Sequence, residues 1–259
     1  MSRLRARCPG CRTLTAVAVG PEYECHSCGR TFGAGLVRVP RAWGKGGETM
    51  AEAAYLPVPY PEAAVVDEPS LSEQSLGVAA ALPERPLVLG GCCCAHIGAI
   101  EGLASRYERL AVVWLDAHGD LNTPATSPSG NEWGMPLRMV LQSGTIRPDD
   151  TALIGTRSLD PPEEAFIRES GIATERDALE RVLDGADAVY VALDVDVLDP
   201  AEEIVMFMPE PDGFSASDTE DVLARIAAEK PVAGAGFTGL AAERANAEGL
   251  TRFSAALGM

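Results

Sequence analysis

Twice in this chain an unbroken apolar run ends abruptly on acidic residues. Leu110-Ala111-Val112-Val113-Trp114-Leu115 runs into Asp116-Ala117-His118-Gly119-Asp120, and Ala188-Val189-Tyr190-Val191-Ala192-Leu193 runs into Asp194-Val195-Asp196. A segment apolar at every position has no face to give to water, so it reads as a strand covered on both sides, as in a parallel sheet between helical layers. Further strands are expected at 87–89, 151–154 and 232–237, with helices over 70–82, 95–107, 163–170, 177–183 and 217–229. Strands alternating with helices predict an α/β fold built on a doubly wound parallel sheet.

In such sheets ligands collect at the carboxyl ends of the strands, where both acidic motifs fall. If the chain stays extended there, Asp116, His118 and Asp120 point to one side, Asp194 and Asp196 share a face, and Pro200 stops the strand. Carboxylates with one imidazole suit a hard to borderline divalent ion such as manganese, and two ions can share carboxylates as bridges and activate a water between them. Helix capping or loop hydrogen bonding explains any one of these aspartates. It does not explain five ligand-type residues at matched spacing.

The amino-terminal segment carries a second kind of chemistry. Cys8-Pro9-Gly10-Cys11 and Cys25-His26-Ser27-Cys28 are two Cys-x-x-Cys turns, and together they supply four thiolates for a tetrahedral structural zinc, with iron as an alternative occupant and a redox dithiol pair as the competing reading. So small a ribbon cannot hold a core without its metal. The Gly- and Pro-rich stretch after it reads as a linker. The expected division is a zinc ribbon over 1–38, a linker over 39–60 and a metallohydrolase domain over 61–259.

Asp116-Ala117-His118-Gly119-Asp120-Leu121-Asn122-Thr123-Pro124, Ser129-Gly130-Asn131 and Asp194-Val195-Asp196-Val197-Leu198-Asp199-Pro200 resemble the arginase and agmatinase family in order and spacing. Leu89-Gly90-Gly91 looks like that family's first metal-binding turn. The resemblance implies a three-layer αβα sandwich in which two manganese ions hold a hydroxide that attacks a guanidinium carbon and releases urea. It implies that Asp116 and Asp194 bridge the ions, that Asp120 completes one site, and that His118 with Asp196 completes the other. Asn122, Ser129 and Asn131 match residues that face the amino-acid end of an arginase substrate. Glu243 looks like the late acidic residue that pairs with the guanidinium.

Three departures bear on the chemistry. Cys93 stands where the family has a metal-binding histidine; this resembles the hydroxyguanidine-processing branch and is softer than manganese prefers. His96 lies three residues on, as a structural histidine or a ligand, and Cys92 and Cys94 read as small hydrophobes. Trp133 replaces the histidine that shuttles protons in arginases, narrowing the pocket or stacking on a planar cation, with Glu132 as a substitute acid or a solvated carboxylate. Met206-Phe207-Met208-Pro209-Glu210-Pro211-Asp212-Gly213 replaces a glycine-bearing floor segment, so arginine itself is a poor fit.

The expected function is hydrolysis of a linear C–N bond in a guanidino, hydroxyguanidino or amidine-like compound, using two divalent ions, with Asp120 and Glu243 in catalytic positions. The alternative is a catalytically impaired protein of the same fold that binds or regulates a partner through its ribbon. A one-zinc amide deacetylase needs paired histidines, and the chain has only His26, His96 and His118. With 21 Lys+Arg against 38 Asp+Glu, a net charge of −17 favours a cationic small molecule and disfavours nucleic acid and membrane surfaces. Arg3, Arg5, Arg7, Arg12 and Arg30 give the ribbon a basic cluster of its own. The lack of a long apolar run or signal predicts a cytoplasmic protein, and the family resemblance implies a homo-oligomer.

Overall fold

The computed structural model describes every residue except 1–4, 7, 9, 12, 14, 20–21 and 175–177. Arg3, Arg7 and Arg12 of the basic cluster, and Asp177 at the expected start of a helix, lie outside the described residues. In chain order the elements are β1 (Arg5–Ala6), β2 (Ala16–Val19), β3 (Glu22–Cys25), β4 (Thr31–Val39), β5 (Glu62–Val65), α1 (Leu71–Ala81), β6 (Arg85–Gly90), α2 (Ala95–Ala104) and β7 (Leu110–Leu115). Then follow α3 (Pro136–Gln142), β8 (Thr151–Ile154), α4 (Pro161–Ser170), α5 (Ala178–Leu183), β9 (Ala188–Asp194), α6 (Ala216–Glu229), β10 (Val232–Thr238) and α7 (Asn246–Ala256).

The strands form one sheet in the order β1-β2-β3-β4-β6-β10-β9-β7-β8, with β5 also on β4. From β4 to β8 every neighbour is parallel, while β1 to β4 form an antiparallel ribbon. Strand alternation sorts the core into two layers. Val189, Val191 and Leu193 pack on one face with residues of α5, α6 and α7, and Ala188, Tyr190 and Ala192 on the other with residues of α2 and α3. Both faces are therefore covered, which is why the run Ala188 to Leu193 carries no charged position. Sequence-visible caps start the helices: Ser70 Oγ accepts from Glu73 N ahead of α1, and Ser215 Oγ accepts from Asp218 N ahead of α6.

The expected linker over 39–60 is not one. β4 begins in the ribbon, pairing with β3 through Thr31, Phe32 and Gly33, and continues through Ala34 to Val39 as a parallel partner of β6, so the expected boundary at 38 falls inside a strand. Residues 47–55 form two short 3₁₀ turns that bury Met50, Ala53 and Ala54. Met50, Ala53, Ala54, Leu56 and Val58 are buried in the core, so the segment cannot act as a free tether. The ribbon joins β4 at its amino end, and the acidic motifs lie at the carboxyl ends of β7 and β9; the ribbon is thus remote from that mouth. No helix among the described residues is long and apolar enough to cross a membrane.

Candidate metal centre

Four adjacent strands, β6, β10, β9 and β7, deliver the side chains of the site at their carboxyl ends. Cys93 follows β6, Thr238 ends β10, Asp194 ends β9 and Asp116 follows β7. The convergence is made by turns rather than by an extended chain. Beyond Leu115 the backbone bends, Asp120 takes a left-handed φ of 51°, and Val195–Val197 is a 3₁₀ turn, so β9 stops at Asp194, well before Pro200. Backbone amides then orient the carboxylates: His118 N donates to Asp116 Oδ1 (2.7 Å), Ala117 N to Asp196 Oδ1 (3.0 Å) and Asp196 N to Asp194 Oδ1 (3.1 Å).

Two sets of donor atoms result, each lying within 4.8 Å: Cys93, Asp116 and Asp120 in one, Asp116, His118 and Asp196 in the other. Asp116 belongs to both. Asp194 completes the group, its Oδ2 accepting from Cys93 Sγ at 3.0 Å and from Thr238 Oγ1 at 3.1 Å. His118 Nδ1 is 3.0 Å from Asp196 Oδ2, and its Nε2 faces Glu210 Oε1 at 3.6 Å.

The electrostatics fit a cation. Burial, followed by repulsion from Asp196, pushes the Asp194 carboxyl up to about 7; burial and then Asp116 push Asp196 up to about 6. Burial, with Asp116 next, holds Asp120 well above the usual carboxylate range, and burial followed by the Asp194 charge raises the Cys93 thiol. For His118 burial works to lower the pKa, but Asp116 and Asp196 overcome it and raise it to about 12. Asp120 Oδ2 is buried without a hydrogen-bond partner among the described residues. Packed carboxylates that hold protons, and one orphaned oxygen among them, form a donor set short of positive charge, which divalent ions would supply.

This cluster forms the floor of a cavity of about 240 Å³. Asn122, Ser129 and Trp133 line it, and Asn122 is engaged at both ends, by Asp160 and Thr126. Asn131 does not line it; its Oδ1 accepts from Lys45 N at 2.9 Å. Glu243 is exposed and outside the lining, so the expected pairing with a guanidinium finds no support here. Of the bulky floor segment only Met208 reaches the cavity: Met206 is buried in the core and Phe207 is exposed. Trp133 lies against Gly44, where a Cβ would collide with the indole, and the Trp133 backbone N–H donates to Trp43 O. The segment once expected to be a linker therefore seats one wall.

Several lining residues escaped the sequence reading. Asp160 and Glu163 open α4, and the Glu163 carboxylate accepts from Leu121 N (2.8 Å) and Asp160 N (2.9 Å). The signal was present: Asp160-Pro161-Pro162-Glu163 is a helix-start pattern a few residues beyond β8, at the end of the sheet where ligands bind.

At the ribbon, Cys8 and Cys28 sulfurs lie 3.6 Å apart and those of Cys11 and Cys25 3.5 Å apart, and all four lie within 4.8 Å. Four thiolates at Zn–S of about 2.3 Å would stand roughly 3.8 Å apart, so the cage is close to the size zinc requires. Cys8 and Cys25 are buried beside Tyr23 and Phe32.

Residues 49–257 match the arginase family model. Over 178 residues the chain is 38% identical to the arginase of Bacillus caldovelox, a match covering 59% of this chain and 60% of that protein. It is 41% identical over 155 residues to the arginase of Bacillus subtilis (strain 168), covering 50% of this chain and 52% of the relative. By sequence, then, the chain spans between half and two thirds of these relatives. In three dimensions it matches the native Bacillus caldovelox arginase structure with a TM-score of 0.78 and 26% identity, covering 88% of this chain and 99% of that one. The ribbon cysteines and β4 precede the family match.

Proposed function

Because this chain belongs to the arginase family, we propose that it is a metal-dependent hydrolase of a linear C–N bond in a guanidino, hydroxyguanidino or amidine-like cation. The observation that carries this reading is the pair of donor sets sharing Asp116 at the floor of a cavity lined by carboxylates. Cys93, Asp116 and Asp120 would hold one ion and Asp116, His118 and Asp196 another, with Asp194 beside them as a further carboxylate ligand. Bound there, divalent ions would supply a water acidic enough to serve as nucleophile near neutral pH. The thiol of Cys93 makes zinc, iron or cobalt a credible occupant beside manganese. In the ribbon, Cys8, Cys11, Cys25 and Cys28 would hold one structural zinc.

The remaining roles belong to the chain itself. Asp160 and Glu163 add negative charge to the cavity, and none of its lining residues is Lys or Arg, so a cationic substrate is favoured over an anionic one. The Trp133 indole, packed against Gly44, would offer a planar cation a stacking surface and narrow access. Glu210 faces His118 Nε2 and is the carboxylate placed to hold a proton at that atom.

Loss of turnover with retained binding is the second reading. It is favoured by Glu243 lying outside the cavity and by Trp133 in place of a proton-shuttling histidine. Metal content per chain, in the wild type and in Asp194→Ala/Asp196→Ala, tests both. One or two ions beyond the ribbon zinc, lost in the double variant, with urea or ammonia released from a panel of guanidino and amidine compounds, support the hydrolase. Ions without release from any compound support the binding protein. No ion beyond the ribbon's, after manganese, zinc or cobalt is supplied, rejects the metal centre.

A further inference from the structure

Behind the donor cluster lies a row of buried polar groups that faces away from the cavity. His96, Tyr190 and Thr238 are all fully buried. His96 Nδ1 is 2.9 Å from Tyr190 Oη, His96 Nε2 is 3.3 Å from Thr238 Oγ1, and Thr238 Oγ1 donates to Asp194 Oδ2 at 3.1 Å while standing 3.1 Å from Cys93 Sγ. The imidazole sits in a notch that requires glycine at 236, where a Cβ would come within 2.6 Å of the ring and 2.5 Å of Tyr190 Oη. Trp114 packs edge-on against the same ring at 5.1 Å, and its Nε1 donates to Asp116 Oδ2 at 3.0 Å.

The hydrogens can be placed by elimination. Among the described residues no other acceptor lies against Tyr190 Oη, so its hydrogen goes to His96 Nδ1. The proton of the neutral imidazole is then on Nε2 and is given to Thr238 Oγ1, which leaves the threonine hydrogen for Asp194. Burial alone lowers the His96 pKa to about 3, so the ring is neutral at any working pH and keeps this directionality.

The geometry points to His96 as a positioning residue for the metal centre, acting through Thr238 to fix the orientation of Asp194 and of the neighbouring Cys93. The proposal rests on the metal-hydrolase reading above. Cys93 and Thr238 converge on one oxygen of Asp194. When the thiol gives up its proton to serve as a ligand, Thr238 becomes the remaining hydrogen-bond donor to that oxygen, and its aim depends on His96. Outer partners of this kind commonly govern metal affinity by 10- to 100-fold. Sequence position had left His96 open as a ligand or a structural residue; its nitrogens are both committed elsewhere, to Tyr190 and Thr238.

Manganese titration of the zinc-loaded protein, followed by calorimetry, measures the effect, with ¹⁵N NMR of the three histidines reporting the tautomer. We expect Thr238→Val to bind manganese roughly 10- to 100-fold more weakly, Thr238→Ser to restore affinity, and wild-type His96 to carry its proton on Nε2. Tyr190→Phe, isosteric and one step further from the ions, should spread the proton over both ring nitrogens and weaken binding in the same direction. A folded Thr238→Val protein with unchanged affinity, or a wild-type His96 protonated on Nδ1, overturns the relay while leaving the hydrolase reading intact. Failure of the wild type itself to bind manganese, zinc or cobalt beyond the ribbon ion overturns the metal reading and the relay's role with it.

Discussion

Asp120 combines a left-handed backbone angle, a buried carboxylate and an oxygen with no partner in a single residue. Each of these works against the folded chain without a cation, the unsatisfied oxygen alone costing about 1–3 kcal/mol. Asparagine tolerates the same backbone region and carries no charge. Asp120→Asn should therefore stabilise the manganese-free protein by about 1 kcal/mol or more in urea denaturation, while weakening manganese binding at least roughly tenfold. A variant that binds normally would remove Asp120 from the donor set. The same cluster sets a pH dependence. Asp194 and Asp196 have folded pKa values raised to about 7 and about 6, chiefly by burial, so the folded state binds protons more tightly and stability falls as pH rises from about 4 to about 7. His118, raised to about 12 against the effect of its burial, contributes stability that is full below about 6.5 and is lost above it. His96 works the other way, because its burial costs stability as pH falls below about 6.5. With more groups on the first side, the manganese-free protein should melt at a higher temperature at pH 5.5 than at pH 7.5, and bound manganese should flatten or reverse the difference. A lower melting temperature at pH 5.5 without manganese would contradict the assignment of protons to this cluster.

At the scale of elements, α4 and the loop after β7 are tied by one side chain. Glu163 accepts from Asp160 N at the start of its own helix and from Leu121 N beside Asp120. Glu163→Ala leaves both amides without that acceptor and should cost about 1–3 kcal/mol in denaturant. Because Leu121 follows Asp120, manganese affinity should fall with it; Glu163→Gln, which retains an acceptor oxygen, should lose less of both. Stability lost with affinity unchanged would limit Glu163 to capping. The elements differ in how openly the sequence declares them. β7, and β9 as far as Leu193, are apolar at every position, because both faces are covered, and β7 and β8 occupy the expected residues. β4 was hidden, since Gly33 and Gly35 interrupt its apolar pattern and resemble a linker, and α3 and α7 went unread. The site divides in the same way. Residues fixed to strand ends, Asp116, Asp194 and Cys93, come together because the sheet register brings them together. Asn131 and Glu243 depend on the paths of long loops, which residue spacing does not determine, and those paths carry them away from the cavity. Asp160 and Glu163 were legible as a helix start, but their direction into the cavity required the fold.

For the whole molecule, the central question is whether the ribbon and the metal centre act on each other. They share β4, whose nine residues place the ribbon pairing roughly 25 Å from the end of the strand nearest the site. The ribbon core is small, formed by Cys8, Ala16, Tyr23, Cys25, Phe32 and Ala34, and its Arg30–Glu84 pair with the body is solvent-exposed and worth little. The body retains two large cores, and Leu36, Val37 and Arg38 of β4 are held between β5 and β6 without help from the ribbon. A zinc ion held by the four cysteines should therefore stabilise β1 to β3 and the first residues of β4, and little beyond. In Cys11→Ser/Cys28→Ser, amide hydrogen exchange should accelerate through β3 and Thr31 to Gly33 while Leu36 to Val39 stay protected, and manganese affinity at the distant centre should remain within about threefold, a difference of under about 1 kcal/mol. Loss of protection along all of β4, or a tenfold weaker centre, would instead show that the sheet transmits the ribbon's state to the site, and the amino-terminal module would then be a regulator of the centre rather than an extension of the sheet edge.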